Sequence, residues 1–256
     1  MRPIGFSTGA LARGDFRRVI ALLLFQDVQA VELLASRIEE LEPLVRALPS
    51  LALHNFAYVS VHAPSRFDRE AERLVVEVLK GACDYPIVVH PDVIFTPSLW
   101  RAMGNRLLIE NMDKRKPIGR TVLELTACFE MLPEAKFCFD IGHARQVDPS
   151  MTKAALLLRA FGDRLAEVHI SEVNTASRHD PISRNAVWAF QKVAHRIPLE
   201  IPIILESLID IGQSELDVEV RLAREALAFH GELAGPNQLA ESGGSGRFSR
   251  DSNSLG

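Results

Sequence analysis

Lys136-Phe-Cys-Phe-Asp-Ile-Gly-His-Ala144, KFCFDIGHA, is a short apolar run that ends on an aspartate and, three residues later, a histidine. Phenylalanine and cysteine suit a buried strand, whereas a carboxylate and an imidazole are costly to bury without partners. One such ending says little, so its recurrence matters. Outward from it, PIGFS (3–7), VQAVELL (28–34), AYVSVHA (57–63), PIVVH (86–90), RLLIEN (106–111), LAEVHIS (165–171) and PIILES (202–207) have the same character, which with KFCFD (136–140) makes eight strand candidates. Most are apolar without alternation, as strands covered on both faces should be.

Segments of helical period separate these runs. FDREAERLVVEVLKG (67–81) offers Asp68 as N-cap and sets Leu74, Val75, Val78 and Leu79 on one face. SELDVEVRLAREALAFHGELAG (214–235) offers Ser214 as cap and Gly235 as stop, and TPSLWRAMGN (96–105) predicts a short fourth helix. Eight βα units in about 235 residues fit a single-domain α/β (β/α)8 TIM barrel, a fold of about 250 residues. An open doubly wound sheet would want a GxGxxG turn after its first strand, and STGALARG (7–14) has none. The barrel is therefore expected over residues 1–235, followed by a flexible tail at 236–256, PNQLAESGGSGRFSRDSNSLG, rich in Ser, Gly and Asn.

Composition narrows the function. The apolar fraction is 47% and the formal net charge is −4, so the basic field common to nucleic-acid binders is missing. Cys83, Cys128 and Cys138 are odd in number and widely spaced, which favours reduced thiols over disulfides. The N-terminus lacks a signal-like apolar stretch and no run is long enough to span a membrane, so a cytoplasmic protein is expected. Its expected partner is a small-molecule substrate rather than nucleic acid or a membrane, with self-association into a homo-oligomer left open.

In a barrel of this kind the reactive face is built where the strands finish. Those positions carry Glu32, His62, His90, Glu110, Asp140, His169 and Glu206, and the loops add His143 and His179. A single histidine at a strand end is more often a hydrogen-bonded structural residue. Five of the eight histidines and four carboxylates at one rim form a different pattern. Imidazole and carboxylate together suit Zn²⁺, Mn²⁺ or Fe²⁺, and a cation relieves the repulsion between clustered carboxylates. His54, His195 and His230 fall away from that rim. Arg145 and Arg178, close to proposed ligands, are the anion-binding candidates and join Glu32 as a substrate-binding set. Lys114, Arg115 and Lys116 read as a solvated charge run.

At this point the chain resembles the xylose-isomerase-like TIM barrels, which include sugar isomerases, epimerases and endonuclease IV. The likeness covers about residues 3 to 232. It is carried by SVHAPS around His62, VVHPD around His90, LLIENMD around Glu110, FDIGHA around Asp140 and His143, EVHISEVN around His169, RHDPIS around His179 and PIILES around Glu206. The resemblance implies that Glu110, Asp140, His169 and Glu206 hold one metal, as in ketose 3-epimerase-like members. In those members the two glutamates also exchange the substrate proton, so Glu110, Glu206 and His143 are the expected catalytic residues, with His143 on a substrate oxygen. His62, His90, His143 and His179 match the further metal ligands of endonuclease IV, which implies one to three ions. Two departures stand out: Ser177 replaces an aspartate of that pattern, leaving Asp180 as the nearest substitute, and PISRNAVWAF replaces a glycine-rich segment.

The expected activity is therefore a divalent-metal-dependent isomerase or epimerase acting on a small polyhydroxylated, sugar or sugar-phosphate type substrate. The alternative is a multinuclear phosphoester hydrolase of endonuclease IV type. A metal-free barrel serving only to bind is the reading from a different class.

Overall fold

The computed structural model describes residues 2–11, 15–82, 84–209 and 213–228. Within them every strand candidate forms: β1 (Ile4–Ser7), β2 (Ala30–Leu34), β3 (Tyr58–His62), β4 (Ile87–Val89), β5 (Leu107–Glu110), β6 (Lys136–Asp140), β7 (Leu165–Ile170) and β10 (Ile203–Leu205). A small antiparallel hairpin, β8 (Glu172–Val173) and β9 (His179–Asp180), stands between the last two. Strands β1 to β7 and β10 close into a parallel barrel, with β10 returning to β1. The fold is the expected (β/α)8 TIM barrel.

The helices between the strands are α1 (Phe16–Leu23), α2 (Ile38–Ala47), α3 (Arg69–Lys80), α4 (Pro97–Trp100), α5 (Val122–Met131), α6 (Ile141–Val147), α7 (Thr152–Phe161), α8 (Arg184–Ala194) and α9 (Gln213–Ala226). Local chemistry sets their starts. Asp15, Asp68, Thr121 and Ser183 each accept a hydrogen bond from a backbone N–H three residues on, capping α1, α3, α5 and α8. In α3 the buried stripe is Glu72, Val75, Val76 and Leu79, so Leu74, expected on the covered face, is 58% exposed. Glu72 tolerates burial because Phe95 N, Thr96 N and Trp100 Nε1 all donate to its Oε1. Helix α9 starts at Gln213, which puts Ser214 inside the first turn instead of at the cap. Gly235, the tail, Cys83 and His230 lie outside the described residues; Cys128 and Cys138 are buried free thiols.

The main core lies between the barrel and its helices, where Val31, Leu33, Val61, Ile87, Val89, Ile109, Phe137, Phe139, Val168 and Ile170 point outward. The expected lack of alternation fails on the inner face. There Val88, Leu108 and Cys138, with Ala166, form a small apolar plug, and the inward positions above it are polar. Register decides which polar groups reach the rim. On β2, Leu34 pairs with His62 while Glu32 pairs with Ser60, so Glu32 sits one pleat lower, fully buried. On β7 the pairing with β6 jumps from Phe137↔Leu165 to Cys138↔Glu167, a bulge at Ala166 that brings Glu167 and then His169 into phase with the inner face. No helix among the described residues is long and apolar enough to cross a membrane.

Candidate metal centre

The KFCFDIGHA stretch shows how the rim is assembled. Strand β6 ends at Asp140, whose Oδ1 accepts from His143 N at 2.6 Å and so starts α6. Its other oxygen, Oδ2, is left facing inward. His143 thereby sits in the first turn of a helix instead of in a loop. Gly142 is required for a packing reason: a Cβ there would lie 2.4 Å from the Ser171 carbonyl oxygen, because α6 presses onto the end of β7. Asn111 clamps the same corner, donating to Asp140 O at 2.8 Å and accepting from Asp140 N at 2.9 Å.

Glu110 is the hub. Its Oε2 lies 3.2 Å from both His62 Nε2 and His90 Nε2, and its Oε1 lies 3.2 Å from His143 Nδ1 and 3.6 Å from His169 Nδ1. Glu206, just past β10, reaches His169 Nδ1 and His179 Nδ1, each at 3.3 Å. His179 arrives on the β8–β9 hairpin, where its Nδ1 is 2.9 Å from Ser171 Oγ. Backbone carbonyls orient two of the rings: His62 Nδ1 lies 2.7 Å from Ala63 O and His143 Nδ1 3.0 Å from Asn111 O. Nδ1–H donation there leaves each Nε2 for other partners.

The electrostatics follow from burial against charge. Burial opposes the ionised form of Glu110, yet the surrounding histidines outweigh it and hold the carboxyl well below its usual range. Burial also disfavours a charged imidazole, but Glu32 and Glu110 lift His62 to about 9, and Asp140 and Glu110 lift His143 to about 10. His179 goes the other way, lowered to about 3 by burial and by the charge of His143. Burial and three neighbouring carboxylates, Glu110, Asp140 and Glu32, push Glu206 up to about 8 against the pull of His169. A dense cluster of opposed groups, held by packing, is the result.

The donor set fits a divalent cation. Glu110, Asp140, His169 and Glu206 each offer one atom within 4.8 Å of the others, and so do His62, His90 and Glu110, and Asp140, His143 and His179. Ligands about 2.0–2.2 Å from one ion cannot be more than about 4.4 Å apart, so the spacing is close to what binding needs. Asp140 Oδ2 and His169 Nδ1 are buried and make no well-formed hydrogen bond, although His143 Nδ1 lies 3.2 Å from the first and Glu206 Oε1 3.3 Å from the second. Buried polar atoms without partners call for one, and an ion would supply it.

At the cluster opens a cavity of about 190 Å³, lined by His62, His90, Glu110, His143, His179 and Glu206 together with Ser36, Ser65, Arg66, Arg115 and Lys116. The eight proposed ligands thus meet at one rim. The substrate-binding candidates do not line this cavity. Glu32 is a pleat too low, Arg145 donates to Glu172 Oε1 at 2.7 Å, and Arg178 is 68% exposed beside Asp180. Asp180 in turn accepts from Asn174 Nδ2 at 2.7 Å, so it is directed to the hairpin turn. The charge run read as solvated contributes instead: Lys116 bonds Asp92 and Ser65 O at the mouth, and Arg115 folds back on Asp113. Sequence reasoning passed over Asn111, Arg66 and Glu167; the last was visible as an acid two residues before His169 in LAEVHIS, on the same face of the strand.

No family profile and no curated protein matches the sequence. Solved structures do. A xylose isomerase domain protein from Alicyclobacillus acidocaldarius superposes with a TM-score of 0.62 at 12% identity, covering 89% of this chain and 98% of its own. Endonuclease IV from Thermus thermophilus gives 0.58 at 17%, covering 88% and 98%, and an L-ribulose 3-epimerase gives 0.55 at 12%, covering 91% and 88%. At such identities the likeness is one of architecture. This chain shares the fold of the xylose-isomerase-like TIM barrels.

Proposed function

We propose that the protein is a divalent-metal-dependent isomerase or epimerase of a small polyhydroxylated substrate, working by proton transfer. The observation that carries the reading is the quartet Glu110, Asp140, His169 and Glu206, in which two glutamates from β5 and the end of β10 approach one imidazole across the barrel mouth. A Zn²⁺, Mn²⁺ or Fe²⁺ ion held there would polarise a substrate carbonyl and its adjacent hydroxyl and so acidify the C–H between them. Glu110 and Glu206 line the same cavity and serve as the pair that removes and returns that proton. His143, fixed through Nδ1 by Asn111 O, keeps Nε2 as the edge for a substrate oxygen. A cavity of about 190 Å³ suits a small molecule, and a net charge of −4 gives little grip on a phosphate backbone.

The test is exchange chemistry. Proton NMR in D2O over a panel of ketoses and their phosphate esters should find one whose C–H exchanges with the metal-loaded enzyme. Glu110→Gln and Glu206→Gln should each abolish that exchange with the circular dichroism spectrum unchanged; exchange surviving both substitutions would sink the reading. The two further ligand trios favour a second reading, a multinuclear phosphoester hydrolase. More than one tightly held ion per chain, with turnover of bis(4-nitrophenyl) phosphate, would establish it.

A further inference from the structure

Beneath the rim lies a group that the proposed chemistry does not use. The bulge at Ala166 turns Glu167 into the barrel under His169, where it is fully buried. Each of its oxygens has one partner. Oε1 is 2.6 Å from His169 Nε2, and Oε2 accepts the Tyr58 hydroxyl at 2.6 Å, a link from β7 across the barrel to β3. An ionised carboxylate only accepts hydrogen bonds. His169 Nε2 therefore carries a hydrogen, so that in the neutral ring a metal requires it is Nδ1 whose lone pair faces Glu110, Asp140 and Glu206. Glu32 Oε2, 3.1 Å from the same Nε2, brackets it from β2.

We propose that Glu167 is a positioning residue that fixes the tautomer and ring orientation of His169, with Tyr58 holding Glu167 in turn, so that Nδ1 is preset as a metal ligand. This rests on the metal reading above. Outer carboxylates of this kind orient a histidine ligand and raise its basicity, and losing one typically costs about 10–100-fold in metal affinity. Cys138, Glu167 and His169 also lie within mutual reach as donors. A 2.6 Å contact between Glu167 and His169 is a hydrogen bond, too short for two ligands spanning an ion.

Competition titration with Zn²⁺ on the full chain tests the proposal. Wild type should bind, Glu167→Leu should bind about 10–100-fold more weakly, and Glu167→Gln, which can still accept from Nε2, should recover most of the loss. Tyr58→Phe should weaken binding less, in the same direction. Ring ¹⁵N spectra of the Zn²⁺-loaded protein give the signature that a merely structural role would not move: a protonated Nε2 and a ligating Nδ1 on His169 in wild type, lost in Glu167→Leu. Unchanged affinity and ring shifts in Glu167→Leu overturn the proposal, as does a thiolate charge-transfer band with Co²⁺, which would put the ion on Cys138. If Glu167→Leu fails to fold, unchanged affinity in Tyr58→Phe overturns it. A wild type that binds no Zn²⁺ overturns the metal reading along with it, whereas binding without sensitivity at Glu167 overturns the positioning role alone.

Discussion

The inner face of this barrel holds two layers built from the same strands. The lower one joins Val88, Leu108 and Cys138 into an apolar plug. Two residues further along those same strands stand His90, Glu110 and Asp140. The pleat makes both sets point inward, so the change from plug to site takes one step of two residues. The plug is filled by apolar contact, and the upper layer carries the groups proposed to react. What distinguishes them is not burial, because Glu110 and Asp140 are as inaccessible as Leu108. The distinction is that the lower layer is satisfied by contact alone, while the upper layer consists of groups whose needs only partners or a ligand can meet.

Removing the hub should break that contrast most strongly. Glu110→Gln is expected to lower turnover by about 10²–10⁴-fold, the range for losing a positioned proton-transfer group, with the thermal melt still cooperative; a variant of near wild-type rate would show that the upper layer is not the reactive one. On the outer wall the same kind of truncation should cost stability instead. Phe137 packs against Phe129 and Phe161 with ring centroids 6.3 and 5.7 Å away, and Phe137→Ala should cost about 3–5 kcal/mol in denaturant unfolding, with Zn²⁺ affinity unchanged in the folded fraction.

The pH response should separate the layers without mutation. His62 at about 9, His143 at about 10 and Glu206 at about 8 all hold protons more tightly folded than unfolded. In metal-stripped protein the two histidines stabilise fully below about pH 6.5 and lose that contribution as pH rises through 9 to 10; the raised Glu206 shifts the balance the same way from about pH 4.5 to 8. Tm should therefore fall from neutral to alkaline pH. Metal binding needs deprotonated nitrogens, so the rise in Tm on adding Zn²⁺ should grow over that window. A metal-induced shift that shrinks as pH rises would contradict the ligand assignment.

Smaller effects sharpen the edges of the site. Asn111→Ala leaves Asp140 N and O without their clamp and should cost about 1–3 kcal/mol. Arg178→Ala, at an exposed guanidinium outside the cavity, should change stability by less than about 0.5 kcal/mol and leave substrate KM within twofold; a large rise in KM would restore the substrate-binding role read from its position in the chain.

These contrasts explain what could be read from the residues alone. Strand and helix succession was legible because each apolar run is bounded by polar segments of different period, and closure into eight units followed from length. The gathering of Glu110, Asp140, His169 and Glu206 at one rim was legible because each sits at or beside a strand terminus. Glu32 misled because a strand end in sequence is not a rim position in space: register lowered it by a pleat. Arg145 and Arg178 misled because proximity along the chain says nothing about which carboxylate claims a guanidinium, and Glu172 claims the first. Glu167 shares the face of His169 by simple alternation and was passed over because it lies one pleat below the strand end, the same depth that removed Glu32 from the rim.

The β8–β9 hairpin has a separate consequence. His179 is held from its own side by the two-residue ladder, by Ser171 Oγ and by the Leu208 N–H that donates to its carbonyl. The turn from Asn174 to Arg178 closes on itself through Asn174. Lengthening or shortening that turn would move His179, the one residue of the hairpin that lines the pocket, while leaving the barrel wall in place, which makes it the natural place for a lineage, or a designer, to alter what the pocket admits.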